Sequence, residues 1–116
     1  MNAAVPDAAV PTGQIVTAPK TLLVGEIAEG VLAGGAGDRA LITVATAPAF
    51  DWNIHGHANG STQTVQEGFD VTSVTYEFAP TATADWYLLL RNTQTTALTL
   101  DVKLELFGTM TWSGWE

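Results

Sequence analysis

Alternating apolar and polar residues occur along most of the chain, most clearly near its C-terminal end. From Leu98 to Leu106 every second residue is Leu or Val, and Thr, Asp, Lys and Glu lie between them. Successive side chains of a β-strand point to opposite faces, so this period of two predicts a strand with one buried and one wet face. Val74–Phe78 alternates in the same way. Trp86–Leu90 is apolar on both faces, which predicts a central strand.

Two more strands are predicted between residues 40 and 57. Ala40–Ala45 alternates after a glycine-rich turn, and Phe50–His57 alternates again. Asn59-Gly60 is typical of a tight hairpin turn, and Gln63–Gln66 is expected to return from it as a paired strand. The second of these strands places its aromatic and aliphatic residues on one face and its polar residues on the other, namely Asp51, Asn53, His55 and His57.

The segment Thr21–Ala33 fits two patterns. Leu23, Ile27 and Val31 have helical spacing, but Gly25 and Gly30 interrupt it. Glycine is unfavourable inside a helix and marks bulges in strands, so the segment is interpreted as strand and bulge.

Composition supports the same fold class. The 116 residues are 47% hydrophobic and only 14% charged, and they include 17 threonines. A chain of this length has the size of one packed domain. We therefore predict a single all-β antiparallel sandwich of jelly-roll type, with seven or eight strands over residues 14–116, and a flexible arm at residues 1–13.

Charge and cysteine content exclude several functions. The net charge is −8, and the four basic residues are scattered, which disfavours binding to nucleic acid and to anionic membranes. The absence of cysteine removes disulfides, thiolate metal sites and thiol catalysis. The sequence also lacks a Gly-x-Ser-x-Gly nucleophile motif and a phosphate-loop ending. We expect a protein that is not an enzyme.

The composition of residues 1–13 bears on the cellular location of the protein. Residues 1–13 lack the basic and hydrophobic regions of a signal peptide, but their Ala, Val and Pro content resembles the spacer that follows a cleaved one. We expect an extracytoplasmic protein, periplasmic or secreted, whose leader has been removed. The alternative is a cytoplasmic protein whose first residues form a flexible arm.

Both histidines of the chain form a candidate metal site. His55 and His57 are two residues apart on one strand, so their side chains emerge about 6–7 Å apart on the same face. Asp51 on that face, or Glu67 across the predicted turn, would supply a carboxylate ligand, and Asn53 is a further candidate. Imidazole plus carboxylate suits zinc, copper or nickel. The alternative is a solvent-facing pair without a ligand, which would act as a pH sensor because neighbouring imidazoles resist protonating together.

Two tryptophans near the C-terminal end form a candidate ligand or interface site. Trp112 and Trp115 are separated by Ser113 and Gly114 and do not continue the alternation. Large aromatic rings stack on sugars and are enriched at subunit interfaces. The alternative is a tail that packs against its own sandwich.

The pattern of the last two strands resembles that of known families. Asp85–Asn92, followed by a polar loop and Leu98–Leu104, is similar to the closing hairpin of emp24-like (Golgi-dynamics) domains and of pre-peptidase C-terminal domains. Together with the Trp-x-Ile-His-x-His stretch at Trp52–His57, the chain also resembles bacterial exported proteins. These resemblances imply a small extracytoplasmic β-sandwich and no particular activity. We expect a non-catalytic binding or assembly module whose partner is a protein, including a second copy of itself.

Overall fold

The fold consists of β-strands. The computed structural model describes residues 13–57 and 60–116, apart from the side chain of residue 47. These ranges contain eight strands: β1 (Gln14–Thr17), β2 (Lys20–Leu22), β3 (Ile27–Gly34), β4 (Arg39–Gly56), β5 (Gln63–Phe78), β6 (Ala84–Arg91), β7 (Leu98–Phe107) and β8 (Thr111–Trp115). Every strand pairing is antiparallel. The predicted all-β antiparallel class is therefore confirmed.

Some sequence predictions fall beyond these ranges. Residues 1–12 of the predicted arm and Asn59 of the predicted turn lie outside the described residues, whereas Gly13 is buried just before β1. Gly60 has a φ of 76°, a left-handed conformation that glycine adopts without strain. No helix in the described ranges is long and apolar enough to cross a membrane.

The long strand β4 joins two halves of the sheet. Its residues 39–45 pair with β7, its residues 51–56 pair with β6, and β5 pairs with both parts. Pro48 lies between the two parts, where a residue without an N–H breaks no ladder hydrogen bond. The sequence pattern divided this strand in two and divided β5 likewise, and the structure corrects both boundaries. We call the two parts the β7 half (β1, β2, β7 and the adjoining parts of β4 and β5) and the β6 half (β8, β3, β6 and the remainder of β4 and β5).

The inner faces of both halves meet in one hydrophobic core. In the β6 half, Leu90 lies between Ala28 and Trp52 in register, and all three are buried. In the β7 half, the strand predicted from Leu98 to Leu106 buries its alternate apolar residues, as expected. The largest fully buried side chains come from both halves: Phe50, Phe78, Leu22, Leu32, Ile42, Ile54, Leu88, Leu90, Leu100, Leu104, Val44 and Val102.

The ambiguous segment near the start forms strands. β2 is followed by a turn at Gly25, which has a φ of 75°, and then by β3. The pairing of β3 with β8 shifts register between Val31 and Leu32, so the segment contains the predicted irregularity. The side chain of Asn92, 1% exposed, ties this turn to the β6–β7 connection. Its Nδ2 donates to the carbonyl oxygens of Leu22, Leu23 and Thr96 at 2.9–3.1 Å.

A buried carboxylate fixes the turn before β4. Asp38 accepts hydrogen bonds from the backbone N–H of Gly35 at 2.9 Å and of Thr109 at 2.8 Å, and from the Thr109 hydroxyl. These donors, the Gly35 amide first, lower the pKa of Asp38 because they stabilise its charged form. The glycine-rich segment before β4 is thus a structural turn held to the β7–β8 connection.

The two ends of the sheet approach each other, so that it is almost a closed barrel. β8 is the last strand beside β3, and β1 is the last strand beside β7. The indole Nε1 of Trp115 on β8 donates to the carbonyl oxygen of Ala18, between β1 and β2, at 3.2 Å. This contact bridges a seam that no strand pairing covers among the described residues.

Replacement of Phe50 by alanine should strongly destabilise the fold. The ring is fully buried where β4 passes from one half to the other. Loss of such a ring lowers the free energy of unfolding by about 3–5 kcal/mol. Phe69→Ala is the matched control, since Phe69 is 66% exposed and its loss should change stability by no more than about 0.5 kcal/mol. Urea denaturation measures both, and equal losses would contradict the described core.

Candidate binding face

Strand register places one set of polar and aromatic side chains on the outer face of the β6 half. Tyr87 on β6 lies between Val31 on β3 and His55 on β4, because these residues are direct partners in the two ladders. Directly paired residues of antiparallel strands point to the same side of the sheet. We call such a set of directly paired residues across neighbouring strands a row. The next row on this face contains Glu29, Leu89 and Asn53.

The side chain of His55 on β4 reaches past β6 to Glu29 on β3. Its Nε2 is 3.0 Å from Glu29 Oε2, and its Nδ1 is 2.7 Å from Asn53 Oδ1. The side chain is buried, with the residue only 4% exposed. The solvent-facing pair of histidines, which the sequence offered as the alternative to a metal site, is wrong for His55, because Tyr87 on β6 and Glu29 on β3 cover its ring.

Three rings pack against one another at this position. The His55 ring is stacked on Tyr87 with ring centres 5.5 Å apart, and His57 meets Tyr87 edge-on at 5.2 Å. The two imidazole rings are 5.0 Å apart and nearly perpendicular. We call His55, His57 and Tyr87 the imidazole–tyrosine cluster. In this cluster the His55 ring is buried, the Tyr87 ring is half-buried and the His57 ring is exposed.

Burial decides the protonation of His55. Loss of solvation lowers its pKa below the ordinary value of 6.5, and the nearby His57 acts in the same direction, whereas the Glu29 carboxylate opposes them. The pKa of Tyr87 is raised, first by loss of solvation and then by the negative charges of Asp85, Glu116 and Glu29. The cluster therefore lies in a negative electrostatic environment.

The predicted metal ligands are only partly brought together. His55 and His57 are adjacent, as described above. Glu67 instead pairs with Asn53, one row along the sheet, and Asp51 accepts the Asp70 backbone N–H at 2.8 Å, at a bulge where Asp70 has a φ of 56°. Within residues 13–57 and 60–116, no three His, Asp or Glu side chains are grouped so that they could hold a metal ion.

The C-terminal tryptophans pack against the core. Trp112 and Trp115 are partly buried, with rings edge-on at 5.0 Å. A Cβ at Gly30 would overlap the Trp112 ring, so this glycine gives the indole room against β3. The packed tail, which the sequence left open as an alternative, is the arrangement found. A role for these rings in binding sugar or a second subunit stays a prediction.

A cavity of about 250 Å³ opens beside the cluster, where β4 ends and β5 and β6 begin. We call it the end cavity. Its polar and aromatic lining includes His57, Gln63, Asp85, Trp86 and Tyr87, and small residues complete it.

Negative charge is concentrated on the outer face of the β6 half. By register this face contains the carboxylates of Glu29, Asp51, Glu67 and Asp85, and in the described ranges its one basic residue is Arg91. Arg91 is partnered by Ile27 and Asp51, two rows from Tyr87. The outer face of the β7 half is mixed, with Arg39 bound to Glu77, and Lys103 between Asp101 and Glu105 along β7.

Tyr87 and Glu29 were not singled out in the sequence. Each belongs to a predicted strand region, but nothing in their spacing indicates that β3 and β6 pair in the register that places them beside His55. The even and odd faces were predictable, whereas the order of strands was not.

Comparisons with known proteins place the chain in the class of small all-β domains. No protein-family model and no curated protein matches it. Several solved structures are similar, among them the following two. PliG of Aeromonas hydrophila, a periplasmic inhibitor of g-type lysozyme, has a TM-score of 0.63 at 8% identity over 82% of this chain and 88% of its own. The mitogen of Yersinia pseudotuberculosis has a TM-score of 0.67 at 9% identity over 90% of this chain and 95% of its own.

At these identities the two likenesses establish the fold alone. They support the small β-domain that the sequence predicted. The resemblance to emp24-like and pre-peptidase C-terminal domains stays a prediction.

Stability should depend on the protonation of His55. The pKa is lower in the folded protein than the value of about 6.5 in the unfolded chain, so the unfolded chain binds the proton more tightly. The contribution of neutral His55 to the free energy of unfolding is present above about pH 6.5 and is lost as the pH falls through the pKa of His55 in the folded protein. We expect the free energy of unfolding to decrease from pH 8 to pH 5, and His55→Gln to flatten this dependence.

Urea denaturation at several pH values tests this expectation. His57→Gln is the comparison variant, because it removes only a smaller contribution to the lowered pKa of His55 and should keep most of the wild-type slope. An unchanged slope in His55→Gln would show that other groups produce the pH dependence.

Proposed function

We propose that this protein is a non-catalytic module that acts outside the cytoplasm and binds a protein partner through the outer face of its β6 half. The observation that carries the proposal is the charge of this face, where Glu29, Glu67 and Asp85 lie within one row of the imidazole–tyrosine cluster. The nearest lysine or arginine in the described ranges is Arg91, two rows away and paired with Asp51. Such a face complements a basic surface and repels an acidic one. The partner is therefore expected to be a basic protein.

The remaining features of the face fit protein recognition. Tyr87 and His57 offer aromatic contact area, and Tyr is enriched at protein interfaces. One fold neighbour is a protein inhibitor of an enzyme, which supports a binding role for this kind of domain and leaves the identity of the partner open. A location outside the cytoplasm is supported by the periplasmic fold neighbour.

Binding to a basic partner should depend on salt and on the β6-half carboxylates. A g-type lysozyme, the target of the A. hydrophila inhibitor, is the first partner to measure, and a panel of basic proteins is the second. We expect the double variant Glu67→Gln/Asp85→Asn to weaken binding by about two- to fivefold per charge, as for exposed ion pairs. Added salt should weaken wild-type binding by screening. Biolayer interferometry gives both quantities.

The matched control is Asp101→Asn/Glu105→Gln, which removes the same charge from the β7 half. It should bind as the wild type does. Equal weakening by both double variants would mean that net charge alone attracts the partner, and the proposed face would then be wrong.

Self-association is the second candidate role, and it involves a different surface. Among the described residues β5 pairs only with β4, and its exposed apolar side chains Phe69 and Val65 are 66% and 41% accessible. An open strand edge with apolar side chains is a ready site for pairing with another chain. The negative face would oppose contact between two copies, so a dimer would form along β5.

Metal binding through His55 and His57 is a further candidate, favoured by the 5.0 Å separation of their rings. Calorimetric titration with Zn²⁺ or Cu²⁺ should then give saturable binding that the double variant His55→Ala/His57→Ala abolishes. Copper and zinc both accept imidazole ligands. Identical weak binding by wild type and variant would eliminate this candidate. Carbohydrate binding through Trp112 and Trp115 is the remaining candidate.

A further inference from the structure

We propose that the end cavity binds the side chain of an arginine or lysine presented by the protein partner. This inference rests on the proposed function and adds the chemical group that the partner inserts. The cavity lies at the edge of the negative face, where the rows of the β6 half end.

The lining of the cavity suits a cation. Asp85 supplies a carboxylate, Gln63 supplies an amide oxygen, and no lysine or arginine is among the described residues that line it. The rings of Tyr87, Trp86 and His57 form the aromatic part of the wall. Carboxylates bind guanidinium and ammonium groups through charge-assisted hydrogen bonds, and aromatic rings attract cations and pack on their aliphatic stems.

The surroundings of the cavity strengthen this preference. Loss of solvation is the first cause of the raised pKa of the Tyr87 hydroxyl, and the carboxylates of Asp85, Glu116 and Glu29 raise it further. The same negative potential favours a positive ligand group at the cavity mouth.

The size of the cavity fits one side chain. About 250 Å³ is below the roughly 300–1,000 Å³ of pockets that enclose drug-sized ligands. It corresponds to about eight water molecules at roughly 30 Å³ each. A single long side chain can displace these waters, whereas a nucleotide or an oligosaccharide would extend beyond the cavity.

A second cavity provides a comparison within the same molecule. Its volume is about 300 Å³, and its lining includes both Asp101 and Lys103 on β7. There the carboxylate already has a cationic neighbour in the lining. A ligand cation should therefore prefer the end cavity, and Asp101 becomes the natural control position.

The test is a titration of the isotope-labelled full chain with N-acetyl-arginine amide, in which NMR measures the chemical shifts of the backbone N–H groups. N-acetyl-lysine amide is the second cation, and N-acetyl-citrulline amide is the neutral analogue of arginine. We expect saturable shifts at Gly56, His57 and Asp85 with the two cations and much smaller shifts with citrulline. Asp85→Asn should weaken the cation affinity by about two- to fivefold, the range of an exposed ion pair, while Asp101→Asn leaves it unchanged.

Three results would overturn the inference: equal shifts with citrulline and arginine, equal weakening by Asp85→Asn and Asp101→Asn, or no saturable shift at the end cavity. The NMR spectra also report whether each variant is folded. The proposed function fails separately. Saturable arginine binding without any basic protein partner would support the cavity and contradict the function. A basic partner whose binding is weakened by Glu67→Gln but unchanged by Asp85→Asn would support the function and contradict the cavity.

Discussion

Strand β4 is the constraint on which the rest of the structure depends. It is hydrogen-bonded to β5, β6 and β7, so it determines where both halves of the sheet lie. Because successive residues of a strand alternate between faces, Trp52 and Ile54 fill the core while Asn53 and His55 are fixed on the outer face. The binding face and the core are thus two sides of the same backbone, and a slip of one residue would exchange them.

Local alternation was sufficient to predict the fold class and the buried face of several strands. The strand from Leu98 was recognisable from its period of two, and the strand from Trp86 was recognisable because it is apolar on both faces. The continuity of β4 through Pro48 was not recognisable, because proline and a break in alternation are typical of a strand end. What overrides this local signal is the change of partner from β7 to β6, a long-range property that no short window of sequence contains.

The candidate site was predictable to a similar extent. The pairing of His55 with His57 follows from their spacing, and the structure brings the rings together. The burial of His55 depends on Glu29 and Tyr87, which are 26 and 32 residues away in the chain and become neighbours only through strand register. The sequence had suggested Asp51 and Glu67 as ligands. Asp51 is four residues from His55 along β4 and accepts the Asp70 backbone N–H, and strand register places Glu67 opposite Asn53.

The order of strands in the sheet bears on how the protein is made. β1 has its only described partner in β7, and β3 has β8 on one side, so the earliest strands are completed by the latest. Contacts between residues so far apart in sequence form slowly. A chain that leaves the ribosome N-terminus first cannot finish this sheet until residues 98–115 have been synthesised. Until those residues are available, several strand edges of the nascent chain therefore stay unpaired and accessible to any chaperone or transport machinery that acts on unfolded polypeptides.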